Sequence, residues 1–382
     1  MPSLFNLIHL LLSFASKLNF FPSKPSFRSF IFYFIGILLK PRFSHILSIS
    51  KIILYPYQRL QYLISDSSWQ HQSLSSSRIS LIKDIIKSRT SPKVILIIDD
   101  TSWRRWNKFS SKQYCSNIGK VERCQVVVRA DIVVFVDGVP VRFPISVKPY
   151  FTKDKANELR DDIGEFKSKI ELAKECVEEA MKFFDIDYVV FDSWYTTKEF
   201  IRFIEDRGLK WVGQFKSNRI VKIEGRRMPL SGSVTVWGLN KKSSSSRSLS
   251  CFQAQIEGIG EVKIVLVDEG GGRISYIVSR ECIDEEEMVK LKKLRWQTEK
   301  LNDELKNMLG MDEYRVRKNE GIMRHCEIVM CVYTFLQYIR IEMGLISRTP
   351  YQILEMIWES MRLVKIPDII LPLLETTKSL KF

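Results

Sequence analysis

The sequence predicts an α/β protein: a mixed sheet flanked by helices, with a β-rich insertion and a helical N-terminal region. Short continuous runs of aliphatic residues are typical of strands that are buried on both faces of a sheet. Segments with helical periodicity separate several of these runs along the chain. An Asp-Gly pair between two valine-rich stretches indicates an antiparallel hairpin within the same sheet. Together these patterns favour a sheet with both parallel and antiparallel strands.

The first predicted strand, Val94–Ile98, follows a break at Ser91-Pro92 and ends in the acids Asp99 and Asp100. Sheets of α/β proteins place ligand chemistry at the carboxyl ends of their strands. Two adjacent carboxylates after a run of aliphatic residues are costly unless water or a metal ion solvates them. A functional site therefore explains the pair, and an ordinary turn explains it equally well.

The elements that follow give the strand order of the sheet. They are a hairpin, a long helix, a strand, a helix and a strand, predicted at Cys124–Val147 with its turn at Asp137-Gly138, Asp154–Phe184, Tyr188–Phe191, Thr196 onward and Lys210–Phe215. The strand that begins at Tyr188 also ends in an acid, Asp192. This order is that of a ribonuclease-H-like sheet, in which three antiparallel strands are joined to parallel strands through helices.

The charge of the chain indicates a polyanionic partner. Its 382 residues carry a formal net charge of +15, and the sequence pI is about 9.4. Lys and Arg are spread along the whole chain, which favours a folded protein with nucleic acid laid across its surface. A membrane surface is also anionic, so charge alone leaves that alternative open.

The apolar segments and the cysteines predict a cytoplasmic protein without a membrane partner. The runs Leu4–Ala15 and Phe30–Leu39 fall short of the roughly 20 residues that a spanning helix needs, and no cation precedes the first run as in a signal peptide. Seven cysteines form no CxxC pair, so we expect reduced, mostly buried thiols. His325 beside Cys326 is too sparse for a zinc site, and core packing is the expected role of this pair.

The helix predicted at Leu291–Leu309 carries the clearest chemical pattern. At 100° per residue, its charged side chains fall within roughly 80° of one another, and its apolar side chains lie on the far side. The charged set is Lys292, Arg295, Glu299, Asp303 and Lys306, and the apolar set is Leu291, Leu294, Leu301, Leu305, Met308 and Leu309. A carboxylate flanked by cations suits a metal-dependent phosphodiester site. A solvated face of i,i+4 ion pairs explains the same spacing.

Set together, these segments resemble the DDE transposases of the IS4-like group, especially its IS701-like and ISH3-like relatives, over roughly residues 94 to 323. The resemblance rests on a strand that ends in Asp99-Asp100-Thr101, on Gly119–Gln125 (GKVERCQ), on Asp192, and on Arg295-Trp296-x2-Glu299-x6-Lys306. The chain has Lys292 where the family has a tyrosine. A lysine keeps a phosphate-directed donor at that position but lacks the aromatic ring.

The resemblance implies a catalytic triad of Asp99, Asp192 and Glu299, with Asp100 as the alternative first acid. These carboxylates would hold Mg²⁺ or Mn²⁺, as two ions roughly 3.5–4 Å apart. Arg295, Lys292 and Lys306 would bind DNA phosphates. The absence of His from the candidate ligands argues against zinc. The resemblance further implies cleavage through a DNA hairpin and a homodimer acting on paired DNA ends.

We therefore hypothesise a DNA transposase that cleaves DNA and transfers the cut strand. A ribonuclease-H-like nuclease or resolvase that cuts without joining is the nearest alternative. An inactive DNA-binding remnant and a membrane-associated protein are the alternatives from other classes. Trp194, Tyr195 and Trp296 are candidates to stack on a displaced base, although core packing is the more common role for aromatic residues beside a strand end.

Changes in composition along the chain predict five segments. They are a helical N-terminal region with DNA binding as its candidate role (1–90), the first part of a catalytic core (91–215), a β-rich insertion (216–283), the last part of the core with the Glu299 helix (284–345), and a helical tail (346–382).

Overall fold

Five helices form the N-terminal region, as predicted. The computed structural model describes residues 4–18, 23–39, 45–87, 93–104, 107–115, 118–236, 249–280 and 282–362. The helices are α1 (Leu4–Lys17), α2 (Lys24–Leu39), α3 (Ile46–Ile53), α4 (Tyr57–Ser65) and α5 (His71–Lys87). Among the helices described, none has the length and apolar character to cross a membrane. The predicted break at Ser91-Pro92 lies outside the described residues.

The central strands confirm the ribonuclease-H-like prediction. They are β1 (Ile95–Trp103), β2 (Ser111–Cys115), β3 (Lys120–Val136), β4 (Val139–Tyr150), β5 (Tyr188–Phe191) and β6 (Lys210–Phe215). β4, β3, β1, β5 and β6 lie side by side in that order, with β3 antiparallel to β4 and β1, and with β1, β5 and β6 parallel. Asp137 and Gly138 form the hairpin turn between β3 and β4, both with positive φ (50° and 77°), as tight hairpin turns require.

β1 is longer than the sequence predicted. It continues through Asp99 and Asp100 to Trp103 because its distal half pairs with Gln125–Val128 of β3. The two acids therefore lie inside a strand, and the side chains of consecutive strand residues point to opposite faces of the sheet. This alternation gives Asp99 and Asp100 different neighbours.

The prediction of a single long helix over Asp154–Phe184 is wrong. The chain instead forms α6 (Lys153–Glu158), α7 (Arg160–Ile163) and α8 (Lys169–Met181). Gly164 has a φ of 77°, a left-handed conformation that ends the α7 turn. Ser168 then starts α8 with a capping box, in which its hydroxyl accepts from the Glu171 N–H and the Glu171 carboxylate accepts from the Ser168 N–H.

The β-rich insertion is confirmed, and it extends the central sheet. After α9 (Lys198–Glu205), the chain forms β7 (Ile220–Ile223), β8 (Arg226–Pro229), α10 (Leu230–Val236), β9 (Leu249–Ile256), β10 (Gly260–Asp268) and β11 (Ile274–Ser279). β11 pairs with β6, and the strand order then runs β11, β10, β9, β7 and β8. The low-complexity stretch KKSSSSRS lies outside the described residues.

The insertion half of the sheet is strongly curled. Three strands separate β6 from β7 in the sheet, which corresponds to roughly 19 Å in a flat sheet. The connection from Phe215 to Ile220 reaches at most about 18 Å when fully extended. It also contains a turn, in which the Arg219 N–H donates to the Lys216 carbonyl. The sheet must therefore bend so that β7 returns toward the carboxyl end of β6.

The last helices pack against the sheet and against the N-terminal region. They are α11 (Glu285–Asp303), a π-helical turn (Glu304–Met308), α12 (Asn319–Glu342) and α13 (Pro350–Arg362). Asp284 caps α11 by accepting from the N–H groups of Glu286 and Glu287, where the helix dipole favours a negative charge. The predicted apolar face of this helix is buried, with Leu294 only partly so. The tail beyond Arg362 lies outside the described residues.

The buried polar groups confirm two smaller predictions. His325 is fully buried, with Nδ1 2.8 Å from the Tyr33 hydroxyl and Nε2 3.1 Å from the Gly310 carbonyl, which is core packing. All seven cysteines are free, and five of them are buried, Cys251 and Cys282 being the exposed pair.

Candidate active site

Two of the predicted site residues lie at equivalent points of neighbouring strands. Ile98 of β1 pairs with Phe191 of β5 in parallel register. Asp99 is the next residue of β1 and Asp192 is the residue that follows β5, so the fold places the two acids side by side where β5 ends. This is the arrangement expected of carboxylates at the carboxyl ends of parallel strands.

Arg295 of α11 joins the first strand acid to the helix acid. Its Nη1 donates to Asp99 Oδ2 at 2.9 Å, and its Nη2 donates to Glu299 Oε1 at 3.2 Å. The guanidinium therefore lies between the two carboxylates. Burial lowers the pKa of Arg295, but the charges of Asp99, Glu299 and Asp192 outweigh burial, and the net shift of its pKa is upward. Arg295 is thus a permanent cation at the centre of the acids.

Asp99 is the most strongly perturbed of these acids. Its side chain is almost fully buried, and this desolvation raises its pKa to about 7 although Arg295 opposes the shift. The nearby charges of Asp192 and Asp100 raise the pKa of Asp99 further. Burial also raises the pKa of Asp192, whose Oδ1 accepts from the Trp194 N–H at 2.8 Å. The site holds more negative charge than one arginine neutralises.

Asp100 faces a different set of residues. Its carboxylate accepts from Lys169 Nζ at 2.8 Å and from the Tyr195 hydroxyl at 3.3 Å. Lys169 lies at the start of α8, and sequence reasoning missed it because it is 69 positions away from Asp100. The capping box at Ser168, three residues before Glu171, is the local signal that could have placed Lys169 at a helix start.

The two predicted lysines of the charged face lie in different surroundings. Lys306 reaches β1, where its Nζ donates to the Ser102 carbonyl at 3.1 Å, and burial lowers its pKa. Lys292 contacts the carboxylate of Glu269 and the Ser275 hydroxyl, which belong to the insertion. The structure therefore brings Lys306 to the strand of the acids and pairs Lys292 with the insertion.

Two models of known protein families match this chain. A family model described as DDE superfamily endonuclease matches residues 19–233, more than half of the chain. The chain belongs to the DDE superfamily endonucleases. A second family model, described as Transposase DDE domain, matches residues 167–335 of this chain. These families are generally dependent on divalent metal ions.

A curated relative of this chain is known at low identity. The chain is 27% identical over 218 residues to a protein of Microchaete diplosiphon described as a probable transposase for insertion sequence element IS701. The match covers 55% of this chain and 54% of that protein, so the chain spans about half the length of this curated relative. The NurA nuclease from Sulfolobus solfataricus aligns at 12% identity over 63% of this chain and 88% of that chain. Its TM-score of 0.29 is too low to support an inference.

The donor set of the candidate site fits a hard divalent cation. Asp99, Asp192 and Glu299 offer carboxylate oxygens, the ligands that Mg²⁺ and Mn²⁺ prefer. Within the described parts of the chain, no three His, Cys, Asp or Glu side chains form a group that could hold a metal ion as they stand. Arg295 donates to both Asp99 and Glu299, so its guanidinium lies between two of these carboxylates. The assignment of metal ligands stays a prediction.

The three aromatic residues that were candidates to stack on a base, Trp194, Tyr195 and Trp296, differ in their exposure to solvent. Trp194 and Trp296 are 46% and 59% exposed, whereas Tyr195 is buried. Lys169 Nζ lies 4.8 Å from the centre of the Trp194 ring, a cation–π contact. Core packing, the more common role for such residues, is therefore observed for Tyr195 alone.

Proposed function

We propose that this protein is the DNA transposase of an insertion sequence, with Asp99, Asp192 and Glu299 as its catalytic carboxylates. The observation that carries the proposal is the side-by-side position of Asp99, inside β1, and Asp192, directly after β5, with Arg295 joining Asp99 to Glu299. The Transposase DDE domain match and the likeness to the probable IS701 transposase support it. The net charge of +15 supports DNA as the partner.

The proposed ligands of the metal ions are Asp99, Asp192 and Glu299, with Asp100 as the alternative first acid. We propose Mg²⁺ or Mn²⁺, as two ions. When bound, such ions lower the pKa of an attacking water or 3′-hydroxyl and stabilise the leaving oxygen of a phosphodiester. The raised pKa of Asp99 supports this assignment, because a cation would relieve the charge that burial disfavours.

We propose that the cations of the site bind DNA phosphates and that two of them, Arg295 and Lys292, leave a carboxylate of the protein to do so. Arg295 neutralises Asp99 and Glu299, and it would turn its guanidinium to a DNA phosphate if metal ions took its place between these carboxylates. Lys306, beside the end of β1, binds a phosphate near the cleaved bond. Lys292 would exchange the Glu269 carboxylate for a phosphate oxygen when DNA approaches the insertion. Each exchange replaces one anionic partner of the cation with another.

The resemblance to IS4-like transposases supports one further part of the proposal, that two copies of the chain act as a homodimer on paired DNA ends. A second part is that the protein acts in the cytoplasm, which its free and mostly buried cysteines support. An ultracentrifugation measurement with and without transposon-end DNA checks the first part.

Cleavage without joining is the second candidate function. The family match over more than half of the chain carries the description endonuclease, which names cutting alone. A strand-transfer assay with pre-cleaved ends distinguishes the two candidates, because only a transposase joins those ends to target DNA. Cleavage without joined product would favour the nuclease.

Glu299→Gln tests the site itself. We expect Mg²⁺-dependent nicking of supercoiled plasmid to fall on the order of 10³-fold, with DNA binding in EDTA unchanged. Asp303→Asn is the matched control, since Asp303 lies one turn further along α11 and contacts Asn307 instead of Arg295. An active Glu299→Gln variant would remove Glu299 from the mechanism. A folded wild-type protein that nicks no DNA would indicate an inactive remnant.

A further inference from the structure

A basic groove lies on the curled half of the sheet, outside the candidate active site. It has a volume of about 1120 Å³ and is bordered by β7, β8, the turn between β9 and β10, and the start of α9. Its charged lining residues are the cations Lys198, Arg219, Lys222 and Arg227 and one carboxylate, Glu257. We call this cavity the insertion groove.

The charge of the insertion groove is not balanced within the chain. Arg227 lies 3.4 Å from Glu257, and both side chains are mostly exposed, so this pair is weak. Among the described residues, no carboxylate forms an ion pair with Lys198, Arg219 or Lys222. Three cations that share one cleft repel each other and attract a polyanion.

The fold holds part of this charge in place. The aliphatic chain of Lys198 packs over Gly258, where an added Cβ would lie 2.6 Å from Lys198 Cδ. Gly258 also has a φ of 77°, which a side chain would strain. The Arg219 guanidinium lies 5.3 Å from the centre of the Phe215 ring. Stacking and close backbone approach therefore direct two of the cations into the groove.

The insertion groove lies at the same edge of the sheet as the acids. Lys198 follows Asp192 by six residues at the carboxyl end of β5. Arg219 follows the carboxyl end of β6, the parallel neighbour of β5. A nucleic-acid backbone that crosses Asp99 and Asp192 can continue along this edge into the groove.

We propose that the insertion groove binds the sugar-phosphate backbone of the DNA segment beside the cleaved bond. This inference rests on the proposed function. The chemistry favours a phosphate backbone over an anionic membrane, because Ile220 is the one large apolar side chain of the groove that is well exposed. Membrane surfaces are bound by clusters of apolar residues together with cations.

A second cavity supplies a matched control at the opposite edge of the sheet. It has a volume of about 610 Å³ and is lined by the lysines Lys83, Lys87 and Lys182 together with Asp185 and Asp187. Asp187 accepts from the Val94 N–H at 2.7 Å, which fixes this cavity at the amino ends of β1 and β5. It therefore presents three lysines away from the proposed DNA path, beside compensating acids.

The test is a measurement of DNA affinity against salt concentration. A labelled mixed-sequence duplex is titrated in EDTA, and binding is followed by fluorescence anisotropy. We compare wild type with Lys198→Ala/Arg219→Ala/Lys222→Ala and with the control Lys83→Ala/Lys87→Ala/Lys182→Ala. Each lost phosphate contact lowers the slope of log K against log salt by about 0.9, so the groove variant should lose about 2 to 3 from its slope. The control variant should keep the wild-type slope.

Further arms separate this inference from the proposed function. Glu257→Gln should tighten binding because it removes the carboxylate that opposes the cations. A groove variant that keeps the wild-type affinity and slope, while wild type nicks plasmid with Mg²⁺, would overturn the inference and leave the proposed function standing. Equal losses in the groove and control variants would also overturn it. Wild type that neither binds nor nicks DNA would overturn both.

Discussion

Two ionic networks connect α11 to the sheet, and they differ in what they can do. Arg129 and Asp131 of β3 form one network, with a 2.7 Å ion pair and a contact from Arg129 to Asn302 of α11. Arg295 with Asp99 and Glu299 forms the other, and Arg295 lies about two turns before Asn302 on the same helix. Asp99 and Arg129 are direct register partners on β1 and β3, so the two networks are neighbours.

The difference between the networks is access to solvent. The side chains of Arg129 and Asp131 are 2% and 1% exposed, whereas those of Arg295 and Glu299 are 22% and 40% exposed. A fully buried ion pair cannot exchange partners without leaving a charge in a low-dielectric interior. An accessible arginine can exchange a carboxylate for a phosphate at small cost. We infer that the buried network positions α11 and that the open network carries the chemistry.

The largest effect should follow from breaking the buried network. Asp131→Ala leaves the Arg129 guanidinium buried without its carboxylate, and we expect a loss of about 3–5 kcal/mol in the free energy of unfolding. Urea denaturation followed by circular dichroism measures this. Glu178→Ala, which breaks the partly exposed pair between Glu178 and Arg207, is the control and should cost about 0.2–1 kcal/mol. Similar losses in the two variants would show that burial does not distinguish these ion pairs.

The parts of the site that depend on neighbouring residues could be predicted from local sequence pattern. Asp192 and the strand before it were predicted from four apolar residues followed by an acid. The face of α11 followed from helical spacing, which brings Arg295 and Glu299 together at i,i+4. Both predictions depend on residues close in the chain, where backbone geometry alone fixes the neighbours.

The features that could not be predicted from the sequence depend on contacts between residues that are far apart in the chain. The extension of β1 to Trp103 depends on pairing with β3, and the contact from Arg295 to Asp99 joins residues 196 positions apart. The angular position of Lys292 was predicted, but the partner it faces, Glu269, comes from the insertion. The break in the predicted long helix could have been predicted, because a glycine such as Gly164 commonly ends a helix. The π-helical turn after Asp303 had no such signal.

A pH-dependent effect should follow from Asp99, the more buried of the two acids in the open network. The pKa of Asp99 is raised from 3.8 to about 7 in the folded chain. Between these pH values the unfolded chain loses the proton and the folded chain keeps it, so wild type loses stability as the pH rises. Asp99→Asn has no such titration. We expect the variant to match wild type near pH 4 and to exceed it by about 2–4 kcal/mol above pH 7.

Urea titrations between pH 4 and pH 9 measure this difference, and they require no metal-dependent activity. Asp303→Asn is again the control, since Asp303 is exposed and its removal should leave the pH profile of wild type unchanged. A stability difference for Asp99→Asn that does not grow with pH would mean that burial does not raise the pKa of the Asp99 carboxyl group.

The smallest of these effects should come from the metal ion itself. If Mg²⁺ binds Asp99, Asp192 and Glu299 only in the folded chain, it stabilises the fold by mass action, by about 2.7 kcal/mol at a hundredfold excess over its Kd. Thermal unfolding at pH 8 with increasing MgCl₂ measures this without any DNA. Asp99→Asn should lose most of the shift, whereas Asp303→Asn should keep it. Arg295→Gln should bind Mg²⁺ more tightly than wild type, because the guanidinium no longer competes for the space between the carboxylates. A Mg²⁺ shift that is equal in all four proteins would place the ion elsewhere and leave Arg295 as a structural ion-pair partner, like Arg129.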